Sequence, residues 1–416
     1  MSRKVRIFFS AGEPSGDIHA ANLIRALKAE NPDFEAVGYG GPMMEEAGCK
    51  LHTDLTALAV MWLLRVLVNL HKFYGLISRA ERYFRDEKPD AVVLIDYPGF
   101  NWWIAKKAKK HGIPVIYYCP PQIWAWASWR IKKMRRYVDH VLCCLPFEAK
   151  WFKERGCNAT FVGHPFFDEV TMRSHGEAFI KEQKKKKGRL VVLLPGSRTQ
   201  EVRSNFEYFV RAAVRVHEKC PDVRFAVAAY KPHQATMCRH TIEEELGPSR
   251  KLPIEVYTRQ TNELIRLAHC CMSVSGSVSL ELLANTRPTV ILYKISRFEF
   301  WVQSFFKKVK YITLVNLLTT DELFPEDLSP YDPGQPDADR VLFPEYLTFE
   351  DKSKQVADHL IEWLTDEEAY GRRVADLEQL RDDVCHGGAA LQAARYILKQ
   401  LKHGTDTGEH ESSHAA

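Results

Sequence analysis

The chain starts the same structural unit twice. Near residue 5, an apolar run (5–9) enters the loop Gly12-Glu13-Pro14-Ser15-Gly16-Asp17. Ala20, Leu23, Ile24 and Leu27 then fall at i, i+3, i+4 and i+7, the apolar stripe of a helix. Near residue 190, Leu190–Leu194 enters the turn Pro195-Gly196-Ser197-Arg198, and Val202, Phe206, Phe209, Val210, Ala213 and Val214 form the next stripe. Short apolar runs at 36–38, 91–95, 114–118, 138–145 and 160–162 continue the first series. Runs at 223–229, 254–257, 271–274 and 289–293 continue the second. Near-continuous apolar strands separated by helical patterns predict parallel sheets covered on both faces. The expected fold class is therefore α/β, with two Rossmann-type, doubly wound domains facing a cleft. Residues 172–188 read as an exposed linker, 325–346 as an irregular crossing loop, and 356–364 and 374–401 as helices.

Composition narrows the function. The 416 residues carry 58 Lys and Arg against 53 Asp and Glu, a net charge of +5 that by itself argues for no nucleic-acid partner. None of the ten cysteines has C-x-x-C spacing, which favours small core residues in a reducing compartment over a zinc site or disulfide framework. The most apolar segment, 57–70, is interrupted by Arg65 and Asn69 and falls short of the ~20 residues a span requires. Within it, Trp62, Leu63, Leu64, Val66, Leu67 and Leu70 are followed by Arg79, Arg82 and Arg85. That pattern suits either a patch lying on an anionic membrane or a buried helix with a solvated basic face.

Five loops carry candidate chemistry. In the first, Glu13, Ser15, Gly16, Asp17 and His19 surround a helix N-terminus where free N–H groups favour anions; Asp17 reads equally as a cap. Asp96 ends an apolar strand in Ile95-Asp96-Tyr97-Pro98-Gly99-Phe100-Asn101, and either accepts a proton at the sheet edge or caps a turn. Trp124 and Trp126, after Pro120-Pro121, line a groove or pack the core. Gly196, Ser197 and Arg198, with Glu201 one turn on, suit a diphosphate, or form a turn with a merely exposed arginine, the commoner fate of a lone Gly-Ser-Arg. In Ser275-Gly276-Ser277-Val278-Ser279-Leu280-Glu281, small residues permit close phosphate approach and Glu281 could accept from ribose hydroxyls. The acids of Asp337-Ala338-Asp339 read as solvated, so no metal or other cofactor is expected.

Taken together the motifs carry a resemblance. The loops above recur in order with Gly40-Gly41-Pro42-Met43, Leu58-Ala59-Val60-Met61, Leu145-Pro146-Phe147-Glu148, Phe161-Val162-Gly163-His164 and Val315-Asn316-Leu317-Leu318, and the whole chain from about 5 to 400 resembles the lipid-A-disaccharide synthase family. The resemblance implies a GT-B-like glycosyltransferase, inverting and metal-independent. It would move 2,3-diacylglucosamine from UDP to 2,3-diacylglucosamine 1-phosphate. It implies an acceptor and membrane-facing domain over 1–170, a UDP-sugar domain over 189–365, and C-terminal helices over 366–402 that cross back or swap in a homodimer. Residues 403–416 read as a disordered tail. By position, Asp96 takes the essential acidic role, with Glu13 and His19 as rivals, and Arg198 the essential basic one. Asn316 joins Glu281 in the nucleotide site. The resemblance further implies a cytoplasmic enzyme, peripheral on the inner face of the cytoplasmic membrane. Two rivals stand beside it: another GT-B-like UDP-GlcNAc enzyme, transferase or epimerase, and a non-catalytic lipid or nucleotide-sugar-binding protein.

Overall fold

The strand Ala91–Ile95 is buried at every position, as a central parallel strand must be. In the computed structural model, which describes the backbone of residues 4–59, 63–172, 176–320, 322–335 and 338–412, contacts divide the chain into two units. The first comprises 1–171 with 386–416, the second 172–385.

The first unit is built on β1 (Arg6–Ala11), β2 (Glu35–Gly40), β3 (Lys50–Asp54), β4 (Ala91–Ile95), β5 (Val115–Tyr118), β6 (His140–Cys143) and β7 (Ala159–Phe161). They pair in the order β3-β2-β1-β4-β5-β6-β7, all parallel. The second unit repeats the scheme with β8 (Leu190–Leu194), β9 (Arg224–Ala229), β10 (Ile254–Thr258), β11 (Cys270–Ser273), β12 (Thr289–Lys294) and β13 (Glu345–Thr348), ordered β10-β9-β8-β11-β12-β13. In each sheet the strand order reverses beside the first strand, between β1 and β4 and between β8 and β11. Ligands of doubly wound sheets bind outside the strand ends at such a switch point.

The helix Pro14–Glu30 starts on a proline at its first turn and buries Ala20, Leu23, Ile24 and Leu27. These meet Ala393, Ala394 and Ile397 of the last helix, Ala389–Ser412, in one core. The 374–401 pattern is therefore broken after Val384, where Gly387 and Gly388 interrupt it. Glu367–Val384 stays with the second unit, burying Leu377 and Leu380 in its core. The return is fixed by Asp168, whose carboxylate accepts from the N–H groups of Gly388, Ala389 and Ala390, capping the last helix. Its backbone is helical as far as Ser412, through most of the stretch read as a tail.

Two further readings are corrected. The 172–188 linker carries the helix Glu177–Lys184, with Ile180 and Gln183 buried and Gln183 hydrogen-bonded to Tyr257 and Arg224. The 325–346 stretch ends in β13, an edge strand pairing with β12. Trp62 lies outside the described residues, as do the side chains of Leu63, Leu64, Val66, Leu67 and Leu70; the backbone there forms the start of the helix Leu63–Glu87. No helix among the described residues is long and apolar enough to cross a membrane. All ten cysteines are free and none is exposed.

Candidate active site

In the first unit, Ala11 of β1 pairs with Ile95 of β4, so the Gly12 loop and Asp96 leave the sheet side by side at the switch point. They are packed against each other: a Cβ on Gly12 would stand 2.1–2.6 Å from carbons of the Tyr97 ring. Asp96 and Tyr97 both take left-handed backbone conformations, φ 42° and 46°, which non-glycine residues adopt only under constraint. The constraint is Asn101, fully buried. Its amide donates to the carbonyls of Asp96 (2.7 Å), Ile95 (3.2 Å) and Ser10 (3.3 Å), and accepts from Ser10 Oγ (2.7 Å). The Tyr117 hydroxyl donates to the same Asp96 carbonyl at 2.7 Å. This network ties β1, β4 and β5 and aims the half-buried Asp96 side chain from the sheet edge. Burial pushes its carboxyl pKa up, against the pull of the Tyr97 N–H and nearby His19.

His19, from the helix Pro14–Glu30, brings Nδ1 within 2.9 Å of Glu169 Oε1, an ion-pair distance without hydrogen-bond alignment. Burial pushes the His164 pKa down to about 3, so its ring is neutral, and Nδ1 accepts from the Phe166 N–H. Glu13 and Ser15 are exposed and Gly16 is buried. Asp17 is structural: its carboxylate accepts from the N–H groups of Gly41, Met43 and Met44, capping the helix Pro42–Glu46. Trp124 likewise belongs to the core, 1% exposed, its indole donating to the buried Glu148 at 2.9 Å. Trp126, at 57%, is on the surface.

In the second unit, Leu194 of β8 pairs with Ser273 of β11, bringing the Arg198 turn beside the 275–277 loop. Gly196 has φ 109° and lies against Glu201, whose Oε2 a Cβ would approach to 2.6 Å. Glu201 accepts from the Arg198 backbone N–H (3.1 Å) and from its guanidinium (2.9 Å). The nearly buried carboxylate thus holds one edge of an Arg198 side chain that is 73% exposed. Glu201 fixes where the exposed Arg198 guanidinium stands. Gln234, fully buried, donates to the Ser197 carbonyl and fixes the other side of the turn. Ser275 Oγ donates to the Ile312 carbonyl, and open space surrounds Gly276. Ser277 is exposed; Glu281, in the first turn of Val278–Ala284, is 7% exposed.

Asn316 is also a structural staple. Its amide donates to the Phe343 carbonyl (2.8 Å) and Glu345 (2.9 Å) and accepts from the Phe343 N–H (3.0 Å). Buried Glu345 gathers the N–H groups of Ile312 and Thr313 and the Thr313 hydroxyl, and burial pushes its pKa up. Sequence reasoning missed Tyr117, Glu169, Gln234 and Glu345 as parts of this framework. Asn101 stood in a quoted motif and was legible there; Glu345 lay in a stretch read as irregular. Among the described residues, no cluster of three or more His, Cys, Asp or Glu side chains is placed to hold a metal ion.

Known proteins bear on the fold and the family. Among solved structures, the S. aureus MnaA–UDP complex superposes with a TM-score of 0.63 at 13% identity, covering 96% of this chain and 97% of that one. The calicheamicin glycosyltransferase CalG4 gives 0.56 at 15% identity, covering 96% and 99%. At these identities the likeness is one of fold, shared by GT-B glycosyltransferases and epimerases. In sequence, lipid-A-disaccharide synthase of Trichlorobacter lovleyi is 36% identical over 338 residues, 79% of this chain and 86% of that protein. The Coxiella burnetii lipid-A-disaccharide synthase is 32% identical over 402 residues, 95% and 98%. The model of the lipid-A-disaccharide synthetase family matches residues 7–376. With the family model and both relatives in agreement, the chain belongs to the lipid-A-disaccharide synthase family of glycosyltransferases.

Proposed function

We propose that this enzyme transfers 2,3-diacylglucosamine from UDP to the 6-hydroxyl of 2,3-diacylglucosamine 1-phosphate with inversion. Asp96 takes the hydroxyl proton as the acceptor oxygen attacks the anomeric carbon. The bond from that carbon to the UDP oxygen breaks, and UDP leaves with the electron pair. Arg198 and the backbone N–H groups of the 196–198 and 275–277 turns stabilise the charge developing on the diphosphate. The observation that carries the reading is that each unit places a chemically suited side chain at its own switch point. One presents a carboxyl with a raised pKa, the other a guanidinium held by Glu201. Asn101, Asp17, Asn316 and Glu345 act by positioning backbone. Glu13 and His19 remain the alternative bases, and no metal takes part in the steps drawn here. The enzyme works peripherally on the inner face of the cytoplasmic membrane, and its last helix crosses back to pack on the helix Pro14–Glu30.

The test is mass spectrometry of products from purified protein given UDP-diacylglucosamine and the monosaccharide phosphate. A tetraacyl-disaccharide 1-phosphate with stoichiometric UDP is expected. An epimerised UDP-sugar, or binding without turnover, would replace the reading. Asp96→Asn should lower turnover ~10²–10⁴-fold with UDP affinity kept; near wild-type turnover would move the base to Glu13 or His19.

A further inference from the structure

The helix Arg297–Phe306 of the second unit shows an inverted solvent preference. It is well formed, with Ser296 and Glu299 capping its start reciprocally, yet none of its residues is buried. Phe298, Trp301, Phe305 and Phe306 are 70%, 59%, 62% and 50% exposed. Phe298, Trp301 and Phe305 fall at i, i+3 and i+7, within an arc of about 60° at 3.6 residues per turn. Their rings touch in series, Phe298 to Trp301 at 6.2 Å and Trp301 to Phe305 at 4.9 Å between centroids. Phe300, on the opposite side, packs on Phe349 at 5.3 Å, and Arg297 lies over the same ring, so one side fastens the helix to the fold and the other presents an aromatic ridge. Lys307, Lys308 and Lys310 follow directly, giving residues 296–310 four cations against the lone acid Glu299.

We propose that this ridge inserts into the headgroup boundary of an anionic bilayer, with the exposed Lys308 on lipid phosphates. The inference deepens the proposed function, naming a surface by which an enzyme of diacylated sugars meets the membrane holding them. Three features select a bilayer over a protein partner. The three ridge rings stand 59–70% exposed on a helix that buries no residue, so they project from the fold rather than line a pocket. Tryptophan and phenylalanine beside lysines is the composition of helices lying in the interfacial plane. The flanking charge complements anionic headgroups, whose pull on nearby cations is screened by salt.

The experiment is sedimentation of the full chain with substrate-free vesicles of phosphatidylglycerol and phosphatidylethanolamine, so a failed transferase assay leaves the result readable. Phe298→Ser, Trp301→Ser and Phe305→Ser together should weaken binding about tenfold or more with melting temperature unchanged, since none of the three is buried. Replacing the same three by Leu keeps an apolar ridge and should hold binding within about threefold of wild type. Lys308→Gln should weaken binding to these vesicles but not to phosphatidylcholine. Wild-type vesicle affinity in the triple Ser variant would overturn the proposal. So would loss of self-association in that variant with vesicle binding intact, which would make the ridge a contact between copies.

Discussion

Replacing Asn101 by Ala tests whether the first switch point is held as described. The amide bonds the carbonyls of Ser10, Ile95 and Asp96 and the Ser10 hydroxyl, all in a site with no exposure at Asn101 itself. Alanine leaves these groups buried without that partner, although the Asp96 carbonyl keeps Tyr117. An unsatisfied buried polar group costs ~1–3 kcal/mol. Two to three such groups, less relief of the left-handed Asp96 and Tyr97, give a loss of about 3–5 kcal/mol. For a unit of about 200 residues this lowers the melting temperature by roughly 6–20 °C. Turnover should fall as well, because Asp96 is no longer aimed. Asn101→Asp keeps the Ser10 contact but sets a carboxylate against three carbonyl oxygens, and should be worse. Circular dichroism melts with UDP-release rates on the same samples decide the matter. An Asn101→Ala enzyme melting within about 2 °C of wild type, at full activity, would refute the argument.

Arg198→Ala should weaken UDP binding by ~1.5–3 kcal/mol, the range of a hydrogen bond to a charged group, whereas Glu201→Gln, which keeps the cation but loosens it, should cost less; calorimetry giving unchanged affinity in both would place UDP elsewhere. Asn316→Asp sets a second carboxylate against Glu345, so it should lower the melting temperature of the second unit; an unchanged melt with lost UDP affinity would instead make Asn316 a ligand contact. His164 protonates near 6.5 when unfolded but only at about 3 when folded, so its stabilising contribution is present above pH 6.5 and is lost as pH falls towards 3. At pH 5 this amounts to about 2 kcal/mol, and His164→Gln, which keeps an acceptor for the Phe166 N–H, should flatten the stability profile between pH 7 and 5; parallel profiles would exclude His164 as the source.

The sequence by itself determined the parallel α/β architecture and which loops leave the sheets. Strands such as 91–95 and 190–194, apolar at every position, are stable only between two covering layers, and the helical stripes at 20–27 and 202–214 supply one face of that cover. The motifs, in their order along the chain, also determined the family. Tertiary structure decided which partners several motif residues bond. Asp17 reads as a site residue from its glycine loop, Trp124 from the Trp-x-Trp pattern and Asn316 from the resemblance. In three dimensions their polar atoms are taken up by Met43, Glu148 and Phe343, partners 24–27 residues away that no local pattern announces. The break at Gly387 and Gly388 was beyond the periodicity for the same reason. Helix continues on either side of the two glycines, and the distant Asp168 carboxylate caps the one that restarts there. Local sequence sets which conformations are affordable for a segment; the choice among polar partners is made by long-range burial, since a buried group must bond whatever the fold brings to it.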